Sequence, residues 1–539
     1  MELGRTLPIV AVCIGLAAPP AIGQTSRRRP PAPAAAQPAP PPARPAPILT
    51  GADGLTRAYD AIFDADFERA RTLIAEACPP APREACLVLE ATRQFWRIQL
   101  DPEDRSRDAA FDAAATAAIT AAEAWTAREP TDAEAWFYLG GAYGARVQWR
   151  VVRQERLGAA RDGREVKNAL DRTLALAPSL VDAQFGLGLY EYYADIAPTA
   201  AKILRVFLML PGGDRTRGLA RMQQTRQAGD LLADEAAFQL HVVYFWYENR
   251  AADAIALLGE LVKRHPRNPY FRRAIADAET VYLHDISAAA ASWRELARLA
   301  DTNAVNEAAM ARAEAHLGHA IALDTLGDTD LALDELTKLR AAAPLLPWGI
   351  TTRVALALGR VHDRLGQRAE AEPLLRQVVA STSRYDPLGL GEPARRLLQR
   401  PTPEPKGRAH RLGLEAWRAF TADASAPVLP RFEDAIALDP DNGVTRLHYA
   451  RALASRQRIA PALTELEAVL AAAKTTPPTT IGEAALLAGR LREQQRDHAD
   501  AIAAYRRAAS TFGAAAETRN AASRAIERIE RSQPAPPFR

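Results

Sequence analysis

The chain has 539 residues, enough to bury several cores or one long repeat array. Its 68 basic and 65 acidic side chains leave a net charge of +3, so there is no concentrated basic composition of the kind nucleic-acid binding requires. Hydrophobic residues make up 48% and aromatics only 6%. Alanine dominates the apolar share, which suits closely packed helices better than sheets.

At the N-terminus, Arg5 precedes an apolar run from Leu7 to Ala18, and Ala21-Ile22-Gly23 supplies small residues where a signal peptidase cuts. The run is about a dozen residues, short of the ~20 that cross a bilayer. The pattern predicts a signal peptide over residues 1–23 and a mature, periplasmic or secreted bacterial chain beginning near Gln24. An uncleaved anchor is the alternative. Cys13 follows the bulky Val12, which does not suit a lipoprotein site. No later segment is expected to span a membrane.

Residues 24–50 open as Ser26-Arg27-Arg28-Arg29-Pro30-Pro31 and continue in Pro and Ala, a composition that predicts an extended polyproline-type linker. From residue 51 to 400 the apolar period is helical, with short connectors carrying Gly, Asp, Asn or Pro. Early in this block Cys78 and Cys86 flank a proline-rich turn between two helices. In an oxidising compartment a disulfide is expected, with a pair of buried thiols as the alternative. Their spacing matches no zinc pattern. A second proline-rich stretch, residues 401–407, predicts a linker before a further helical block at 408–532. Residues 533–539 are expected to be disordered.

Within these blocks a unit of ~34 residues recurs, about eight to ten times between residues 55 and 530. Trp136, Leu139-Gly140 and Tyr143 have the spacing of one first helix. Ala501, Tyr505 and Ala508 have that of a second helix. Further units carry Ala320, Gly327, Ala332, Leu336, Leu339 and Pro344, then Leu358-Gly359, Leu365-Gly366, Ala371, Leu375 and Val378. Others carry Tyr449-Ala450, Ala462, Leu466 and Val469, and Ala254, Leu258, Leu261 and Pro266. The first unit shows itself through Tyr59, Phe67, Ala70 and Ile74. After Ala133 extra residues intervene before Val166, which predicts longer helices there.

These units resemble the tetratricopeptide repeat (TPR) family. One helical pair cannot bury its own apolar face, so neighbours must stack. The expected fold is an all-α, right-handed α-solenoid of helix-turn-helix repeats in two blocks, with a concave groove. Residues 185–296 also resemble the eukaryotic inclusion-body-clearance family of TPR proteins. That likeness rests on Gly186, Gly188-Leu189-Tyr190, Pro198, Leu204, Phe207, Gly213, Gly218-Leu219 and Tyr244-Phe245-Trp246-Tyr247. It implies another interaction scaffold and carries no catalytic residue.

Candidate chemistry is sparse. His316 and His319 lie three apart on a helix, a possible metal pair, but no third ligand is evident and a packing role is expected. Pro211-Gly212-Gly213-Asp214-Arg215-Thr216-Arg217-Gly218 is a glycine-rich loop before a helix. It reads either as an anion cradle or, in preference, as a turn capped by Asp214 or Thr216. No cofactor, metal or enzyme activity is expected.

The resemblance implies a groove, and the first-helix positions that line it in the TPR family fall here on two sets of residues. The first is Phe137, Phe185, Leu189, Tyr192, Tyr193, Gln239, Val243, Trp246 and Tyr247. The second is Arg353, Arg360, Arg364, Arg451 and Arg490. Aromatic and arginine side chains are common binding anchors, although Tyr and Trp also fill cores. The expected partner is a protein or an extended peptide, held by a scaffold in an envelope complex. The alternative is a carrier or enzyme subunit enclosing a small apolar ligand in the N-terminal block.

Overall fold

A computed structural model of the chain describes residues 48–197, 212–342, 349–384 and 386–532. These contain 24 helices and no strand. The signal segment, most of the proline-rich spacer, Pro198, Leu204, Phe207, Pro211, Pro344 and the 533–539 tail lie outside the described residues. The chain divides into two compact units between Glu248 and Asn249.

In the N-terminal unit, α1 (Ala52–Phe63) and α2 (Phe67–Ala77) form a hairpin. So do α3 (Arg83–Leu100) and α4 (Asp108–Arg128), and α5 (Ala133–Val152) and α6 (Arg156–Leu176). Next, α7 (Ala183–Ile196) packs on α8 (Arg215–Ala228), and α9 (Ala233–Trp246) follows. The first helices α1, α3, α5 and α7 pack in succession. Asp66, Asp132 and Asp214 start their helices by accepting a backbone amide of the first turn. The expectation of long helices after Ala133 holds, since α5 has 20 residues and α6 has 21. The repeat glycine has a steric role: a Cβ at Gly140 would lie 2.7 Å from Leu170 on the partner helix. Cys78 and Cys86 are joined across the α2–α3 turn, with Cα atoms 6.5 Å apart, within the usual span of a bridge. The last residues of the expected linker are docked, because Thr50 donates its amide and hydroxyl to Glu134 at 2.9 and 2.8 Å.

Helix α9 is buried without interruption from Glu235 to Phe245. A helix apolar on every side belongs in an interior, and α9 lies against three first helices at once. Tyr59 of α1 and Gln148 of α5 donate to Glu235 at 3.1 and 3.2 Å. Phe238 packs on Trp96 of α3, ring centres 4.9 Å apart. Asp182 fixes its entry by accepting the amides of Asp230, Leu231 and Leu232 at 2.7–3.0 Å.

The C-terminal unit begins with α10 (Ala251–Arg264), packed on α11 (Pro269–Val281), which pairs with α12 (Ile286–Asp301). Hairpins follow from α13 (Ala308–Leu326) and α14 (Thr329–Ala341), and from α15 (Ile350–Arg364) and α16 (Arg368–Ser381). After the short α17 (Gly391–Gln399) come α18 (Glu404–Ala422) with α19 (Leu429–Leu438), and α20 (Gly443–Ser455) with α21 (Ile459–Ala471). Last are α22 (Pro478–Gln494) with α23 (His498–Ser510), and α24 (Ala516–Ser532) closes the stack. The repeat positions read from the sequence are core: Ala332, Ala371, Leu375, Ala462, Leu466 and Ala501 are fully buried.

The proline-rich stretch 401–407 is not a linker. Thr402 donates its amide and hydroxyl to buried Asp363 at 3.1 and 2.8 Å, and α18 starts at Glu404. Pro403 is the N-cap and Pro405 sits in the first turn, where a missing amide costs nothing. Both sides of the stretch belong to the same compact unit, which corrects the expected boundary between residues 400 and 408.

One contact spans most of this unit. Buried Asp285 caps its own helix α12 through the Ala288 amide at 3.0 Å, and its other oxygen accepts the Ala516 amide of α24 at 2.6 Å. The Phe512 ring covers His284 with centres 5.0 Å apart.

Asp285→Ala removes a cap from two helices, each worth ~0.5–2 kcal/mol. We therefore expect a lower midpoint in urea, and faster amide exchange at α24 than in the wild type. Unchanged exchange at α24 would show that the contact does not hold that helix. Separately, Ala501→Leu should cost ~1–3 kcal/mol by overpacking α23, while Arg506→Leu, on the exposed side, should melt within about a degree of wild type.

Candidate functional site

The aromatic set lies in the N-terminal unit and is largely interior. Phe137, Phe185, Tyr192, Gln239 and Val243 are buried, so they pack helices together and cannot anchor a partner. Leu189, Tyr193, Trp246 and Tyr247 are half-buried. Tyr192, Tyr193 and Tyr247 form an edge-to-face cluster with ring centres 5.4–6.1 Å apart. The Tyr192 hydroxyl donates to Glu248 at 2.5 Å, and burial together with that carboxylate pushes its phenol well above its ordinary range. Helix α9 thus lies against α1, α3 and α5.

Buried titratable groups in this unit serve packing. Burial raises Glu235 despite its hydrogen bonds from Gln239, Tyr59 and Gln148. Burial also holds the His241 imidazole down to about 3, so that side chain stays neutral. The glycine-rich loop is a capped turn. Asp214 accepts the Arg217 amide at 2.9 Å. Arg215 pairs with Glu248, and Arg217 pairs with Glu191 at 2.9 Å. Both guanidinium groups are thus committed within the fold. The Gly188 and Gly218 pair brings α7 and α8 together backbone to backbone: a Cβ on Gly218 would lie 2.6 Å from the Gly188 carbonyl oxygen.

The arginine set lies in the C-terminal unit, where the first helices α11, α13, α15, α18, α20, α22 and α24 pack in succession and form one face. Four of the five arginines are paired across that face. Arg353 reaches both oxygens of Glu314 at 2.7 and 2.8 Å. Arg360 and Arg364 each approach buried Asp324 at 3.1 Å. Arg451 bonds Glu483 at 2.6 Å and covers the Trp417 ring, which stacks on His448 with centres 4.0 Å apart. Arg490 is exposed and, among the described residues, makes no ion pair.

The sequence reading missed the acidic partners, each about one repeat away: Glu314 is 39 residues from Arg353 and Glu483 is 32 from Arg451. It also missed Trp417, which is half-buried on the same face. Asp277, on α11, is pushed up to about 6 by burial, with Arg273 and Arg353 opposing the shift and Glu314 adding to it.

His316 and His319 share one carboxylate. Their Nδ1 atoms lie 2.6 and 2.8 Å from the two oxygens of Glu335, and His316 Nε2 is 3.3 Å from Asp301. The carboxylate takes the ring nitrogens as hydrogen-bond partners, which supports the packing role. The Glu335 bond raises His316 above its ordinary value, and the two histidines hold Glu335 below the usual carboxylate range. A raised histidine stabilises below its ordinary pKa of ~6.5, and a lowered carboxylate stabilises above ~4.3. We therefore expect His316→Gln to lower the melting temperature most near pH ~5.5 and progressively less as pH rises past His316's raised pKa. A deficit that did not vary with pH would assign His316 a packing role alone.

No protein-family model matches the chain, and no curated protein matches it in sequence. Solved structures do match. A tetratricopeptide repeat protein from Parabacteroides merdae is 13% identical over 55% of this chain and 98% of its own, with a TM-score of 0.23. The TPR2AB domain of yeast Sti1, in a complex with pHSP90, is 12% identical over 55% of this chain and 96% of its own, at 0.19. Yeast Tom70 is 12% identical over 89% of this chain and 88% of its own, at 0.22. At such scores the chain paths do not superpose. The stacked hairpins, the buried small-residue register and the successive first helices establish the architecture by themselves: this chain is an all-α solenoid of helix-turn-helix repeats.

Proposed function

We propose that the chain is a non-enzymatic scaffold that holds polypeptide segments on the first-helix face of its C-terminal unit. We further propose that it works outside the cytoplasm, in an envelope complex, as the N-terminal sequence leads one to expect. The observation that carries the choice of face is the contrast between the two units. In the N-terminal unit α9 lies against the first helices. In the C-terminal unit Trp417, Arg353, Arg451 and Arg490 stand part-exposed or exposed on α18, α15, α20 and α22. Aromatic and arginine side chains supply large contact area and directional donors, the combination typical of binding hot spots.

The test is affinity purification of the tagged chain from envelope fractions, with mass spectrometry of what is retained. Wild type should enrich a defined set of proteins. Trp417→Ala with Arg451→Ala should lose most of that set, whereas Tyr193→Ala with Trp246→Ala should keep it, with circular dichroism confirming that each variant is folded. If a folded Trp417/Arg451 variant retained every partner, the C-terminal face would not be the working surface.

A further inference from the structure

Between α22, α23 and α24 lies an open cleft of about 490 Å³. Arg490 and Arg524 stand on its rim, Arg528 and Glu493 form one wall, and Leu486, Ala521 and Ala525 form the floor. Glu493 is already committed. Arg528 Nη2 lies 2.8 Å from both its oxygens, and the Tyr505 hydroxyl donates to it at 2.8 Å. Arg490 and Arg524 are both exposed, and among the described residues neither makes an ion pair. Elsewhere on this face the arginines of the sequence set are matched by carboxylates of the fold. Unlike Arg353, Arg360, Arg364 and Arg451, the two guanidinium groups of this cleft stand over an apolar floor with no ion pair among the described residues.

We propose that this cleft is a subsite for an acidic side chain of a bound polypeptide, with Arg490 and Arg524 donating to its carboxylate. The proposal rests on the scaffold reading above and names the chemistry of its ligand. Two like charges facing one cleft repel, and an entering carboxylate relieves that repulsion while accepting charge-assisted hydrogen bonds. Guanidinium forks suit the planar carboxylate better than ammonium groups would. The Leu486–Ala521–Ala525 floor fits an aliphatic side chain next to the acidic one, since apolar area leaves water there. Arg528 stays on Glu493 and keeps the wall in place.

Fluorescence anisotropy of the full chain tests this with a labelled, C-terminally amidated peptide carrying two adjacent glutamates followed by leucine. At low salt, about 50 mM, wild type should bind it about tenfold or more tightly than the same peptide with glutamine at both positions. That preference should shrink as salt rises, because the contact is screened over ~8–10 Å. Arg490→Gln with Arg524→Gln should abolish the preference, and Arg506→Gln, outside the cleft, should keep it. Equal binding of the two peptides by wild type, or an undiminished preference in the double variant, would overturn the proposal. So would binding of inorganic phosphate or of phosphatidylserine vesicles at these arginines without binding of the peptide. The two readings fail separately. A double variant that keeps its co-purified partners and its peptide preference refutes the subsite and leaves the scaffold. A wild type that co-purifies nothing yet discriminates the peptides keeps the subsite and refutes the scaffold.

Discussion

Stacked helical hairpins satisfy their backbone within each helix but leave orphan amides at helix starts and in the connecting loops. In this chain buried carboxylates take up those amides, and much of the architecture depends on them. Asp182 gathers three consecutive amides at the entry to α9, Glu134 holds Thr50, Asp363 holds Thr402, and Asp285 caps two helices at once. A carboxylate removed from water is costly unless its lone pairs are met. Each of these groups therefore ties its position to one particular loop, and each also fixes where the loop must run. The proline-rich stretch at 401–407 is ordered for this reason rather than by its own propensity.

The same economy governs the arginine-rich face. A row of guanidinium groups on neighbouring helices would repel, and the fold answers with Glu314, Asp324 and Glu483 set about a repeat away. Arg360 and Arg364 are therefore structural: reversing their charge would place like charges against buried Asp324. The N-terminal unit meets a different need with α9. Its interior surface is aromatic and apolar, and the chain covers that surface with a helix of its own rather than presenting it to solvent.

Much of the fold was legible in the sequence because its signals are local. Small residues at hairpin crossings, such as Ala371 and Ala501, and the leucines between them declare their burial through spacing alone. The candidate site was less legible. Repeat position tells which way a first-helix side chain points, but not what already occupies the space in front of it. Phe137, Phe185, Tyr192, Gln239 and Val243 occupy positions that line a groove in an open solenoid, and here they meet neighbours that the repeat pattern does not encode. The apolar run from Ala236 to Phe245, interrupted only by Gln239 and His241, is the sequence's one hint that α9 is enclosed. The boundary between units at Glu248 leaves no compositional mark, whereas the proline cluster that does leave one begins a helix.

The link between Asp285 and Ala516 bears on how this chain can change over generations. Open solenoids tolerate the gain or loss of a repeat, because each unit touches only its neighbours and a duplicated hairpin simply lengthens the stack. Here two loops 231 residues apart share one carboxylate. Inserting or deleting a hairpin between them would swing α24 away from its cap and strand both the acid and the amide. Repeat number between these points is consequently fixed by geometry, and descendants of this sequence should vary in the length of individual helices and loops rather than in how many hairpins they count.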